Sequence, residues 1–273
     1  MDPALQRRIQ RYGWDRAADT YEHSWADQLK PAQQRLLELA SLQPGERVID
    51  IACGTGLVTF PAADLVMTGG HVLATDISER MIEHVAELAS TRGASHVKAR
   101  RLGAEKLDEV PDEAFDVALC ALGLMYVPDV AAALAEMRRV LRQGGRAAVA
   151  VWGARNRCGW AEIFPIVESR VKSDVCPMFF QLGTGASLQM ALEASGFGNV
   201  ESDRITATLH YATADEAADA AFAGGPVTMA YSRFDEPTRR SARADYIASI
   251  APYRAGFGYA IPGEFVVARG ERL

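Results

Sequence analysis

The chain is poor in the residues that build metal, disulfide and nucleic-acid sites. It has four cysteines and five histidines in 273 residues. Cys53, Cys120, Cys158 and Cys176 are scattered, with no C-x-x-C pair and no histidine at ligand spacing. Buried, reduced thiols are expected, and no metal site. Positive charge is in the minority: 29 Lys and Arg against 35 Asp and Glu leave a net charge of −6. Nothing longer than pairs such as Arg100-Arg101 and Arg239-Arg240 gathers basic residues, so no nucleic-acid partner is expected. No apolar run reaches the ~18 residues of a membrane span, and Met1 to Arg8 lack the apolar core of a secretory signal. The expected location is cytoplasmic. Repeats, low-complexity tracts and linkers are also lacking, so residues 1–273 read as one elaborated domain.

What is present is a pattern of apolar runs of strand length alternating with helical patterns. Strands are expected at 47–52, 71–76, 96–102, 115–120 and 146–152, with helices at 56–66, 79–91 and 129–142 between them. Ser78 is the expected N-cap of the second helix. The stretch Glu136 to Arg146 reads as a helix closing on Gly144-Gly145, with basic residues in its last turn. Repeated β-α-β units with nearly continuous apolar strands imply a parallel sheet covered on both faces. Ligands in such sheets bind at the C-terminal strand ends, where strand order reverses.

The organising stretch lies at the first of those ends: Val48-Ile49-Asp50-Ile51-Ala52-Cys53-Gly54-Thr55-Gly56. An apolar strand carries one acid, breaks into Gly-x-Gly and enters a helix. Glycine lets the backbone turn sharply and approach a ligand. The second strand, Val72-Leu73-Ala74-Thr75, ends on Asp76, placed to hydrogen-bond both hydroxyls of a ribose. A dinucleotide fingerprint needs glycine at position 59, and Thr59 stands there. Asp50 would repel a pyrophosphate but suits an ammonium or sulfonium.

On these residues the chain resembles the class I S-adenosylmethionine-dependent methyltransferases, whose first motif has the form of Asp50-x-Ala52-Cys53-Gly54-Thr55-Gly56. The resemblance is clear over about residues 10 to 152 and looser beyond. It implies an α/β, Rossmann-like seven-stranded sheet with helices on both faces and an antiparallel last strand. An N-terminal helical lid (1–42), a cofactor-binding core (43–152) and late substrate-lid helices and strands (153–273) complete it. The implied cofactor is S-adenosyl-L-methionine. Its implied contacts are Asp50, Ala52, Cys53, Gly54 and Gly56 at the turn, and Asp76 on the ribose. Ile77 and Met81 would lie on the adenine, and backbone at Cys120 and Ala121 would meet the ammonium. Where related sequences commonly have an aspartate for the adenine amino group, this chain has Gly103; backbone at Gly103 and Ala104, or the Glu105 carboxylate, could replace it.

The segment Tyr12 to Tyr21 matches the family's W-D-x-x-A-x-x-Y lid helix, and a second helix is expected to begin at Pro31. Tyr21 would face the methionine portion, with Tyr12, Trp14 or Trp25 lining the acceptor pocket. Met125, Trp152, Phe179 and Phe180 are further candidates for its wall, with Trp160, Phe164, Phe222 and Tyr231 in reserve; each is equally suited to core packing. The loop Cys120 to Asp129 is nearly all apolar, with Asp129 suited to cap the next helix. After it, helical patches around Phe179-Phe180-Gln181, strands at 199–211 and 265–268, and helices near 213–223 and 235–250 are expected.

The expected activity is methyl transfer to a small, largely apolar or aromatic molecule, by proximity and exclusion of water. No residue stands out as a base; His23 and His210 are the remaining candidates. Two rivals share the fold: an S-adenosylmethionine-binding enzyme of non-methylating chemistry such as cyclisation, and a non-catalytic binding or regulatory protein. The acceptor is not legible. A homodimer is compatible with the sequence, which fixes no oligomeric state.

Overall fold

The computed structural model describes residues 3–171 and 179–273. Cys176, expected as a buried thiol, lies outside the described residues.

The chain opens with a long helix, α1 (Pro3–Ala40). Alternation follows: β1 (Arg47–Ile51), α2 (Thr59–Val66), β2 (His71–Asp76), α3 (Glu79–Thr91), β3 (Val97–Arg101), β4 (Phe115–Ala121), α4 (Val130–Val140) and β5 (Leu141–Trp152). Short helices α5 (Ile163–Glu168) and α6 (Ser187–Ala194) precede β6 (Phe197–Tyr211). Helices α7 (Ala214–Phe222), α8 (Thr228–Tyr231) and α9 (Glu236–Ser249) then lead to β7 (Arg254–Ala255) and β8 (Gly258–Arg272).

Among the described residues the strands form one sheet in the order β3-β2-β1-β4-β5-β8-β6, with β7 paired to β8. The first five run parallel, and β8 inserts antiparallel between β5 and β6. The sheet has eight strands rather than the seven expected, because the tight turn at Gly256-Phe257 folds a two-residue strand onto the start of β8. Val48, Ile49, Ile51, Val117, Ala118 and Leu119 are almost wholly buried, as befits central strands covered on both faces. Each such aliphatic side chain contributes roughly 1.5–3 kcal/mol. Helix α1 lies across β4, β5, β8 and β6, with α3, α7 and α8 against it, while α4 and α6 pack together on the same strands from the other side.

Two boundaries differ from expectation. Pro31 does not begin a second helix but sits inside α1. It removes one backbone hydrogen bond, yet Leu29, Ala32, Leu36 and Ala40 form a continuous buried stripe through it. That packing carries the helix across the break. Helix α4 ends at Val140, before Gly144-Gly145, with Arg138 and Arg139 in its last turn. The two glycines belong to an irregularity in β5, where pairing jumps from Phe115–Leu141 to Val117–Arg146. A Cβ at Gly145 would meet the Arg142 and Asp116 carbonyl oxygens at 2.8 and 3.0 Å, and Gly144 has φ of +72°. The residues around Phe179-Phe180-Gln181 form turns, and the helix on their far side is α6.

Candidate active site

Strand order reverses between β1 and β4: β2 and β3 lie on one side of the pair, β5 on the other. A cavity of about 90 Å³ opens at this point. Three chain breaks at strand ends form its floor. Ala52 and Gly54 follow β1, Asp76, Ile77 and Met81 follow β2, and Ala121, Leu122 and Gly123 follow β4. Leu102, Gly103, Ala104 and Glu105, after β3, close one end, and Arg7, Gln10, Trp14 and Tyr21 of α1 form the roof.

The floor is shaped by backbone conformations that side chains rarely adopt. Ala52 and Leu122 have φ of 57° and 60° without being glycine, an uncommon state that clusters at ligand sites. Gly123 must be glycine, since a Cβ there would stand 2.4 Å from the Ala52 Cβ. Gly54 has φ of +55° and a nearly open Cα face, with Tyr21 Cε1 at 3.8 Å from a Cβ position. Gly56 serves differently. Its Cα faces Phe60, where a Cβ would come within 2.8 Å, so it seats α2 rather than a ligand.

The two acids act at different depths. Asp76 lines the cavity, accepting from the Gly54 amide (3.0 Å, Oδ2) and the Ser78 amide (2.8 Å, Oδ1). Burial pushes its carboxyl up to about 6, against the pull of those two amides, with Asp15 adding a little. Asp50 lies beneath, fully buried, and accepts from Thr59 Oγ1 at 2.7 Å. Its Oδ1 has no partner. Burial pushes it up to about 7, opposed by Thr59 and reinforced by Asp76. Thr59, which breaks the dinucleotide fingerprint, is thus the partner of the motif's acid. Burial, helped by Asp76, also pushes the Tyr21 hydroxyl upward, so it is neutral at ordinary pH.

Several contacts clasp α1 over the strand ends. Ser78 Oγ donates to Asp15 at 2.7 Å while accepting from the Met81 amide as the N-cap of α3. Arg80 pairs with Asp19 at 3.3 Å, and Arg7 with Glu105 at 3.1 Å. Glu105 also accepts from the Asp129 amide at 2.9 Å, so its carboxylate already has two partners. Asp129 caps α4 through the Ala132 amide.

A second cavity, of about 20 Å³, shares Trp14, Tyr21, Leu122 and Tyr126 with the first. Trp25, Leu29, Met125, Trp152, Trp160 and the Gly224-Gly225-Pro226 turn make the rest of its wall. Trp14 touches Tyr21 and Tyr126 edge-on, with ring centroids 5.7 and 5.0 Å apart. These rings form the partition between the two spaces.

Of the residues expected around a cofactor, Cys53 and Cys120 lie off the first cavity. Both thiols are buried and free, and burial pushes Cys120 up to about 12. Of the expected acceptor residues, Trp14, Trp25, Met125 and Trp152 reach the second cavity and Tyr12 does not. Tyr12 is 47% exposed on the outer side of α1, beside Arg11. Phe179 and Phe180 pack with Trp160 and Phe164 behind the cavity wall. His23 is exposed on α1, and His210 is exposed on β6, where Gln28 bonds its backbone. Neither lines either cavity, so the structure gives neither a base's position. Trp160, also a candidate for the acceptor wall, does line the second cavity; Leu122, Tyr126 and the 224–226 turn were not singled out as ligand contacts, although the apolar loop 120–129 marked the first two. Among the described residues there is no group of three or more potential metal ligands, and no helix long and apolar enough to cross a membrane.

Residues 42–174 match a family model described as a methyltransferase domain. Nocamycin O-methyltransferase of Saccharothrix syringae is 37% identical over 133 residues, 49% of this chain and 47% of that protein. Aklanonic acid methyltransferase DauC of a Streptomyces species is 33% identical over 147 residues, 54% and 66% of the two chains. The matched stretch thus spans about half to two thirds of these curated relatives. In fold, the chain is similar to the YcgJ protein of a Bacillus, with a TM-score of 0.63 and 16% identity over 89% of this chain and 98% of that one.

Proposed function

Because the chain belongs to the class I S-adenosylmethionine-dependent methyltransferase family, we propose that it methylates a small, largely apolar or aromatic molecule held in the second cavity. The observation that carries this reading is the adjacency of the two spaces. A cleft with acids and open backbone at the strand ends abuts an aromatic chamber across Leu122, Tyr126, Trp14 and Tyr21.

The residues of the cleft fit the cofactor chemically. Asp76 would hold the ribose hydroxyls, and Gly54 lets the amino-acid portion approach the turn. Ile77 and Met81 offer an apolar seat for the adenine, while Asp50, with an unpartnered buried oxygen, places negative charge beneath a cationic ligand. At about 90 and 20 Å³ both spaces are below the ~300–1,000 Å³ of ordinary ligand pockets, so admission of cofactor and acceptor alike requires α1, which lines both, to lift. Its clasp on Ser78, Arg80 and Glu105 makes that helix the lid. When bound, S-adenosylmethionine supplies an electrophilic methyl carbon on a sulfonium.

The chain's own part is then positioning and exclusion of water. No histidine or lysine lines either cavity among the described residues, and Tyr21 stays protonated. An acceptor that is already nucleophilic at neutral pH, such as an acidic hydroxyl or a stabilised enolate, suits such a site. The names of the two relatives, a nocamycin O-methyltransferase and an aklanonic acid methyltransferase, fit methylation of a small molecule, at oxygen in the first.

The test is release of S-adenosylhomocysteine in proportion to added phenolic and enolic aromatic acceptors, with the methylated product identified by mass spectrometry. Turnover with oxygen acids and none with simple amines is expected. Cofactor binding without product across such a panel would contradict methyl transfer to this class.

A further inference from the structure

Two residues that line the second cavity each carry a buried polar atom with no partner. Trp25 Nε1 and Trp160 Nε1 are buried and make no hydrogen bond, in side chains only 5% and 2% exposed. An indole N–H can only donate, and buried donors are almost always satisfied because leaving one unmade is costly. Both belong to one cavity, and their ring centroids are 6.0 Å apart. Trp25 Nε1 lies 3.1 Å from where a Cβ on Gly224 would stand, and Gly224 is itself part of the cavity wall. Glycine there keeps a side chain from crowding that donor.

We infer that Trp25 and Trp160 form a paired donor that seats an oxygen of the acceptor, a carbonyl or an anionic oxygen conjugated to an aromatic frame. This rests on the methyl-acceptor reading of the second cavity and gives it a selectivity. Aromatic walls alone would take any flat apolar molecule. Two neutral donors among aromatic rings favour one that presents oxygen, and they stabilise a partly or fully anionic oxygen without a charged side chain. Trp152, packed 4.8 Å from Trp160 and 5.9 Å from Trp25 between centroids, holds both rings in place.

The experiment compares 2-acetylnaphthalene with its oxygen-free counterpart 2-isopropenylnaphthalene, titrated into the full chain saturated with S-adenosylhomocysteine. The ketone is expected to bind about tenfold more tightly, the scale of two neutral hydrogen bonds. In a 15N-indole spectrum, which resolves four tryptophans, the Trp25 and Trp160 signals should move downfield with the ketone and stay put with the alkene. Trp25→Phe and Trp160→Phe should each shrink the ketone's advantage while leaving alkene binding within about twofold to threefold. If either variant misfolds, benzothienylalanine at the same position keeps the ring shape and replaces N–H by sulfur. Equal affinity for the two probes, no binding of the ketone, or unmoved indole signals would overturn the donor pair. Failure to bind S-adenosylhomocysteine at all overturns the cofactor reading instead; tight cofactor binding with an oxygen-blind chamber overturns only this inference.

Discussion

The two cavities that meet at Leu122 and Tyr126 are built in opposite ways. The cofactor cleft takes its floor from turns that directly follow β1, β2 and β4, so its chemistry sits in short stretches such as 50–56 and 76–81. Its shape and charge come from backbone amides held by Asp76, positive-φ turns and two buried acids. The aromatic chamber draws on α1, the 122–126 loop, the end of β5, Trp160 and the 224–226 turn, pieces of chain as far apart as Trp14 and Pro226. Its walls are also the protein's core. One site is specified by local backbone geometry, the other by tertiary packing, and they should fail differently when disturbed.

The largest difference is expected at Trp152, 3% exposed and packed 4.3 Å from the Phe265 ring. Trp152→Ala should lower unfolding stability by about 3–5 kcal/mol in urea denaturation, because wall and core are the same residues. The folded fraction should bind S-adenosylhomocysteine almost normally. A stable variant with weak cofactor binding would erase the distinction between the two sides.

A smaller and opposite effect is expected at Gly123→Ala, whose Cβ would stand 2.4 Å from the Ala52 Cβ. Overpacking of this kind costs about 1–3 kcal/mol, and here the loss should appear in cofactor affinity as well as stability. Ala52→Gly removes the opposing methyl at a residue with φ of 57°, a conformation glycine adopts freely. The double variant should recover most of the loss; additive losses would show that the two turns do not touch in solution.

The acids offer the mildest probe. Burial holds Asp50 near about 7 and Asp76 near about 6, both above the ~3.9 of an unfolded aspartate. The folded protein therefore holds extra protons between those limits. The contribution of these two groups to stability falls as pH rises toward 7 and is constant above it. A bound sulfonium or ammonium favours their ionised forms, so S-adenosylmethionine binding should release protons near pH 6.5. Affinity should rise by at most about tenfold per pH unit up to about 7.5. Asp50→Asn should flatten both profiles, in calorimetry with buffers of different ionisation enthalpy. Affinity that does not change between pH 5.5 and 8 would remove the acids from the account of cation binding.

What was legible in the sequence follows the same division. Asp50, Gly54, Asp76, Ile77 and Met81 could be placed because strand, turn and helix signals are local and the acids fall at strand ends. Ser78 and Asp129 were legible as caps for the same reason. The packing of Gly56 and the partner of Thr59 were not legible, since nothing local shows that one glycine faces Phe60 or that a threonine bonds the acid nine residues earlier. The acceptor wall was only half legible. Tyr12 and Trp14 lie two apart on one helix and face opposite ways, and which one faces inward depends on how α1 crosses the sheet. Trp160 was one of several aromatic candidates with nothing local to separate wall from core, and Gly224 carries no local mark at all. Pro31 was read by its propensity, and the packing of Leu29, Ala32 and Leu36 outweighed it.

The most direct measurement is calorimetric titration of S-adenosylhomocysteine into the unmodified chain and into Asp76→Ala. Saturable binding at one site is expected, weakened in the variant by about 1–3 kcal/mol, the scale of charge-assisted hydrogen bonds to hydroxyls. No binding by the unmodified chain, or the same affinity in both proteins, would contradict the assignment of this cleft to an adenosyl cofactor.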